Sequence, residues 1–287
     1  IRYSCPENRE LSMCFNFHHL KVDYPSGNKW EIEPFRFHDL KKHLFTWQEE
    51  MEKGGGWNAL FWCNHDQPRI VSRIGNEKEY RVKSAKCLAT AIHGLKGTPY
   101  IYQGEEIGMT NAGYTSIDEY MDIESLNYYN ILKLQGKSEE EVIRILGAKS
   151  RDNSRTPMQW DASENAGFTK GTPWPKVCDR YKEINTESRH EPDSVFQYYK
   201  ELVKLRKELP VIQKGAVTPL LREDKEILAY KREYQGKELY VFCNFFDGEV
   251  KVPYSIPEDC KSILSNYGEE ISPKELVLRP YEAVMFL

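Results

Sequence analysis

Short apolar runs and helically spaced apolar positions take turns along the first third of the chain. Leu11-Ser12-Met13-Cys14-Phe15-Asn16-Phe17 reads as a short buried strand ending at His18-His19. From Asp39 to Glu52, the residues Leu40, Leu44, Trp47 and Met51 recur at helical spacing, and Gly54-Gly55-Gly56 stops the helix. A second strand is expected over Ala59 to Cys63, and a helix from about Glu79 to Leu95, stopped by Gly97. A third strand is expected over Thr98 to Glu106, closing on polar residues. Strand, helix, strand, helix, strand is the α/β signature of parallel pairing. Residues 107 to about 190 form a long polar and aromatic excursion with one helical piece, Ser138 to Leu146. Excursions of that length usually carry active-site loops. Val195, Tyr198, Tyr199, Leu202, Val203 and Leu205 predict a helix over Asp193 to Leu209. After Pro210 the period shortens to that of strands at Ile227–Tyr230, Leu239–Cys243 and Ala283–Phe286, so the tail reads as a small antiparallel β domain.

Composition narrows the partners. At 287 residues there is room for one large domain, or a large one and a small one. A net charge of −4 gives no electrostatic case for nucleic acid or an anionic membrane, so an anion site would have to be a local positive cluster. The 18 Tyr and 6 Trp suit sugar stacking and suit a large core equally. Seven scattered cysteines with no CxxC or Cys/His metal spacing read as reduced thiols. With no signal peptide and no bilayer-spanning apolar stretch, the expected location is cytoplasmic. Asp and Asn are plentiful around 152 to 165 but form no oxygen-ligand loop of the calcium type; neither a metal nor a cofactor is expected. The chain begins Ile1-Arg2-Tyr3, without Met, as if cut from a longer one.

Candidate chemistry sits at the end of the second strand, in Phe61-Trp62-Cys63-Asn64-His65-Asp66-Gln67-Pro68-Arg69. Pro68 cannot donate to a ladder, so the polar group lies at the strand's C-terminal mouth, where parallel barrels build their sites. Asn64 to Arg69 resembles the late active-site motif of the α-amylase superfamily of retaining glycoside hydrolases. Gly97-Thr98-Pro99-Tyr100-Ile101-Tyr102-Gln103-Gly104-Glu105-Glu106-Ile107-Gly108-Met109 resembles that family's eighth barrel strand. Arg151-Asp152-Asn153-Ser154-Arg155-Thr156-Pro157-Met158-Gln159-Trp160 resembles the following loop of its α-glucosidase branch. The resemblance implies the C-terminal part of a (β/α)8 TIM barrel, strands 6–8, in residues 1–209. A C-terminal β-sandwich would follow in residues 210–287. Within the branch, Phe17-His18-His19-Leu20-Lys21-Val22-Asp23-Tyr24-Pro25 followed by Lys29-Trp30 is similar to the trehalose-6-phosphate hydrolases, and Cys63 points the same way. Oligo-1,6-glucosidases usually carry an acidic residue in place of one of these histidines, and lack the lysine.

The resemblance also assigns roles. Asp66 would be the transition-state-stabilising carboxylate, His65 a neighbouring sugar hydrogen-bond donor, and Arg151 an arginine that reaches the same sugar. Arg155 either lines the pocket or holds the loop by ion pairing. His18, Lys21 and Lys29 could converge as cationic donors to the phosphate of a small phosphorylated disaccharide; a solvated loop with incidental lysines is the alternative. Glu105 and Glu106, adjacent on an expected strand, would point to opposite sides and anchor loops rather than form a catalytic pair. Trp160, Phe168 and Trp174 are sugar platforms or loop packing. The retaining mechanism needs a nucleophile and an acid/base about 5 Å apart. In the family these follow strands four and five, so the expected full-length reaction is hydrolysis of trehalose 6-phosphate, with the 287 residues inactive alone. An oligo-1,6-glucosidase piece and a non-catalytic sugar-binding module are the alternatives, and open barrel edges would invite association.

Overall fold

The computed structural model describes residues 1–287. Its first layer contains β1 (Cys14–Phe15), α1 (Phe37–Lys53), β2 (Asn58–Leu60), α2 (Ile70–Arg73), α3 (Arg81–His93) and β3 (Thr98–Pro99). The strands pair in parallel in the order β1-β2-β3, with Cys14 opposite Asn58 and Ala59 opposite Thr98. All three are shorter than their apolar runs suggest. The carbonyls beyond the ladder are taken by side chains instead: His19 Nε2 lies 2.8 Å from the Phe61 oxygen, and Arg69 Nη1 donates to the Gln103 oxygen at 2.6 Å. Entry into β3 needs Gly97, at φ +145°, because a Cβ there would stand 2.5 Å from the Asn58 carbonyl oxygen.

The helices follow their apolar stripes. α1 buries Phe37, Leu40, Leu44, Phe45 and Met51, and ends where the Gly54 N–H bonds back to the Glu50 oxygen. Lys41, on the same face, is buried with its ammonium donating to the carbonyls of Leu221, Asp224 and Ile227, and burial lowers its pKa to about 8. The excursion after β3 holds two helices rather than one, α4 (Ile123–Leu134) and α5 (Glu139–Lys149). α4 gives no helical signal because its apolar residues are not all inward: Ile123 is 65% and Leu134 88% exposed. Asp122 and Ser138 cap the two helices by accepting from Glu124 N and Glu141 N. α6 (Val195–Glu208) starts at the Ser194 cap and is followed by the short α7 (Pro210–Lys214).

The tail is an antiparallel sheet of β4 (Ala216–Leu220), β5 (Ile227–Tyr234), β6 (Lys237–Asn244), β8 (Ser262–Ser265) and β10 (Ala283–Phe286), ordered β4-β5-β6-β10-β8. A two-stranded ribbon, β7 (Val250–Lys251) with β9 (Val277–Leu278), lies over its outer face, where Ile227, Phe242 and Phe286 pack with Val252 and Leu278. The inner face, with Leu228, Tyr230, Val241 and Met285, belongs to the same 35-residue core as Leu40, Trp62, Leu88 and Leu202, so the sheet and the helical layer share one apolar interior.

Candidate active site

The turn after β2 is built by its own side chains. Trp62 is fully buried, with its indole N–H on the Leu88 oxygen at 2.7 Å, and Cys63 Sγ accepts from Ile70 N at 3.3 Å. Asn64 Oδ1 accepts from Asp66 N at 2.8 Å, the self-folding habit of an Asn in a turn. Arg69 is buried across the gap to the segment after β3, which leaves an exposed His65 and a half-buried Asp66 at the mouth.

The Arg151–Arg155 loop is pinned from behind by its middle residues. The Asp152 carboxylate accepts from Met121 N, Asp122 N, Ser125 Oγ and Ser150 Oγ at 3.0, 2.9, 2.6 and 2.7 Å. Asn153 Oδ1 accepts from Ala112 N at 2.9 Å, and Ser154 Oγ donates to the Gln67 oxygen. With those side chains spent on the scaffold, the flanking Arg151 and Arg155 face the mouth.

There they form a continuous chain of charges. Arg155 Nη2 lies 2.6 Å and Arg151 Nη1 3.4 Å from Asp66 Oδ1, and His65 Nε2 is 3.2 Å from Asp66 Oδ2. Arg155 also donates to the His65 carbonyl at 2.9 Å and pairs with Asp122, so it both faces the mouth and ties the loop. Arg151 Nε is 2.9 Å from Asp122 Oδ2 without a hydrogen-bond angle, an ion pair only, and 3.5 Å from Glu124 Oε2. Glu124 Oε2 in turn holds Lys29 Nζ at 2.7 Å. Burial alone would raise the Asp122 pKa; the Glu124 N–H, Arg151 and Arg155 outweigh it and hold that carboxyl below its usual range. Asp122 is therefore an anion, not a proton donor, near neutral pH.

Of the residues expected at the site, Asp66, His65, Arg151, Arg155 and Lys29 are linked in this chain. His18 and Lys21 are not. His18 lies against His43 and Trp47 of α1, at 5.7 Å from each ring, and exposed Lys21 has no ion pair. Its neighbour His19 is the fixed one, buried against Phe61, with burial pushing its pKa down to about 4. Glu105 and Glu106 do go separate ways, but in a 3-10 turn rather than on a strand: Glu105 is buried on the Tyr199 hydroxyl at 2.8 Å, and Glu106 accepts from Gly104 N at 2.7 Å. Trp160, Phe168 and Trp174 are exposed, at 51%, 49% and 75%. No three His, Cys, Asp or Glu side chains are placed to hold a metal ion, and no helix is long and apolar enough to cross a membrane.

Sequence reasoning missed Asp122 and Glu124, two of the network's three carboxylates, which sit at the cap and in the first turn of a helix with no periodic signal. It also missed a buried node beneath the site. Asp23 Oδ1 meets Arg73 Nη2 at 2.5 Å, and Asp23 Oδ2 meets Lys149 Nζ at 2.8 Å, with all three side chains at most 6% exposed. Arg73 also donates to Gln67 Oε1 at 2.8 Å, and the Tyr24 ring lies 5.2 Å from the Arg73 guanidinium and 5.4 Å from the Lys149 ammonium. The node joins the loop bearing Lys21, the turn bearing Asp66 and the segment leading to Arg151.

Beside His65, an apolar groove of about 360 Å³ opens over Phe15, Phe17, Phe61, Tyr100 and Tyr102. Parallel strands backed by helices, with polar side chains gathered at the strands' carboxyl ends, define part of an α/β barrel protein. The chain belongs to the Alpha-amylase family, whose catalytic-domain pattern matches residues 1–215. It is 51% identical to the trehalose-6-phosphate hydrolase of Bacillus subtilis (strain 168), over 100% of this chain and 52% of that protein. It is 47% identical to the oligo-1,6-glucosidase of Halalkalibacterium halodurans, over 99% of this chain and 52% of that one. The crystal structure of Bacillus licheniformis trehalose-6-phosphate hydrolase superimposes with a TM-score of 0.96 at 55% identity, covering 99% of this chain and 53% of that one. A mutant of the same protein, in complex with PNG, gives 0.95 at 54%. The chain spans about half the length of the curated relatives it matches. The expected fold, strands six to eight of a (β/α)8 barrel followed by an antiparallel β unit, is the fold observed.

Proposed function

We propose that the chain supplies the C-terminal half of a cytoplasmic retaining α-glucosidase that hydrolyses trehalose 6-phosphate to glucose and glucose 6-phosphate. The observation that carries this reading is the placement of Asp66, held by Arg155 at 2.6 Å and Arg151 at 3.4 Å at the mouth of the strands. The two guanidinium groups orient the Asp66 carboxylate, so it can accept sugar hydroxyls as positive charge develops on the ring. His65, 68% exposed beside it, is free to donate to the same sugar. Asp122 cannot be the acid, because two arginines hold it ionised. The nucleophile and acid/base would come from the remaining barrel strands, packed on the open apolar face of β1 to β3. The 287 residues alone would then not turn over substrate.

Preference for a phosphorylated substrate rests on the loop from His18 to Lys29, where Lys21 is unpaired and Lys29 is 19% exposed at the end of the charge chain. One observation favours the oligo-1,6-glucosidase alternative: Lys29 is already paired with Glu124. Kinetics of the full-length protein decide between them. Lys21→Ala with Lys29→Ala should raise KM for trehalose 6-phosphate about tenfold or more, as expected for losing charge-assisted bonds. An unchanged KM would remove the phosphate grip and leave a neutral isomaltose-type substrate.

A further inference from the structure

The charge chain at the mouth contains three cations, Lys29, Arg151 and Arg155, and three carboxylates, Asp66, Asp122 and Glu124. Glu124 stands one step from its outer end, between Arg151 and Lys29. One of its oxygens, Oε2, is approached by Lys29 Nζ at 2.7 Å and Arg151 Nε at 3.5 Å, and the carboxyl is still 28% exposed. An oxyanion set between an ammonium and a guanidinium, with one side open to solvent, has the surroundings of a bound anionic ligand. The backbone beneath it is fixed, since Glu124 N donates to Asp122 Oδ1 at 2.8 Å in the first turn of α4. Lys29 is fixed too, 4.6 Å over the Trp30 ring, which itself stacks on Tyr128 of α4 at 4.5 Å. The Glu124 side chain, the more exposed partner of the Lys29 pair, can swing into solvent without moving the helix that carries it.

We propose that Glu124 is a specificity-determining residue, its carboxylate an internal stand-in that occupies the phosphate position on Lys29. The proposal rests on the phosphorylated-disaccharide reading above and deepens it. A phosphoryl group carries more negative charge than a carboxylate and offers three acceptor oxygens, so it displaces Glu124 from the ammonium. A neutral sugar hydroxyl brings no charge and leaves the Glu124–Lys29 pair closed. Glu124 thereby weakens phosphate binding somewhat and denies neutral sugars the Lys29 contact altogether. Selectivity of this kind is a difference between two affinities.

The test uses the full-length protein with Glu124→Gln, which keeps the shape and removes the charge. KM for trehalose 6-phosphate and the inhibition constant of inorganic phosphate should both fall about two- to fivefold, the weight of a part-exposed ion pair. KM for unphosphorylated trehalose should move far less. Glu124→Ala, which removes the arm altogether, should shift both phosphate readouts in the same direction. Neither effect should survive in a Lys29→Met background. A rise in KM for trehalose 6-phosphate, or equal changes for both sugars, would make Glu124 a structural prop and overturn the proposal. If the unsubstituted protein shows neither a preference for the phosphorylated sugar nor any response to Lys29→Met, the phosphorylated-substrate reading fails, and this inference falls with it.

Discussion

Replacing Asp23 with Asn tests the buried node under the site. The substitution is nearly isosteric, so packing is kept while the only anion between Arg73 and Lys149 is lost. Asp23 meets Arg73 at 2.5 and 3.0 Å and Lys149 at 2.8 Å, with all three side chains at most 6% exposed. Removing one partner of a buried pair leaves uncompensated charge that water cannot reach, at a cost of about 3–5 kcal/mol. For a chain of this size that corresponds to a Tm lower by roughly 6–10 °C. The comparison is Asp39→Asn, which breaks the Arg36–Asp39 pair at 2.6 Å, where the side chains are 45% and 39% exposed. Solvent already screens that pair, so its loss should cost under about 1 kcal/mol. Thermal unfolding of the two variants at pH 7, followed by circular dichroism, reads the contrast directly. Equal Tm values within about 2 °C would show that burial does not amplify the Asp23 pair. The pH dependence provides a second check. Burial raises the Asp23 pKa, but Arg73 and Lys149 outweigh it and the net shift is downward. Its contribution is therefore full above the unfolded carboxylate pKa of about 4 and is lost as pH falls through the lower folded value.

Glu105 should behave in the opposite sense. Burial raises its pKa to about 7, against 4.5 for a glutamate carboxyl in water, so the folded protein holds a proton that the unfolded chain releases. Its contribution, on the order of 3 kcal/mol, is present below about pH 4.5 and lost as pH rises through about 7. Glu105→Gln should flatten the fall in Tm between pH 5 and 8, as measured by calorimetry; an unchanged slope would assign it to other groups. Gly97→Ala should lower Tm through a loss of about 1–3 kcal/mol, because φ is +145° and the new Cβ would press on the Asn58 oxygen. A Tm within 1 °C of the parent would mean that β3 can shift away from β2.

The order of elements was legible because its signals are local. Leu40, Leu44 and Met51 mark one face of α1, the glycine run from Gly54 ends it, and Gly97 takes a φ of +145° that favours glycine. Asp66 and Arg151 were legible through the resemblance, and the structure brings them together across 85 residues of sequence. α4 was not legible, since Ile123 and Leu134 face solvent and erase the period. Glu124 went unseen along with it. The node of Asp23, Arg73 and Lys149 has no local signal at all: its members are 50 and 126 residues apart, and each alone reads as a surface charge. That His18, Lys21 and Lys29 could converge was read from the resemblance of their loop and from the cationic donors a phosphate needs. The chain turns between them, sending His18 toward α1 and Lys29 toward α4.

The interior shared by the antiparallel sheet and the helical layer bears on how this tail can be inherited or exchanged. Leu228, Tyr230, Val241 and Met285 are fitted to α3 and α6, and Lys41 of α1 is sealed by carbonyls of the tail itself. Arg232 reaches the other way, into the Gly94 carbonyl that closes α3. A tail transplanted from a relative would meet helix faces shaped for different side chains, so viable chimeras should require junctions that carry α3 and α6 along with the strands. Substitutions on either side of that surface are then expected to drift as matched pairs, although the mouth of the barrel lies on another part of the molecule.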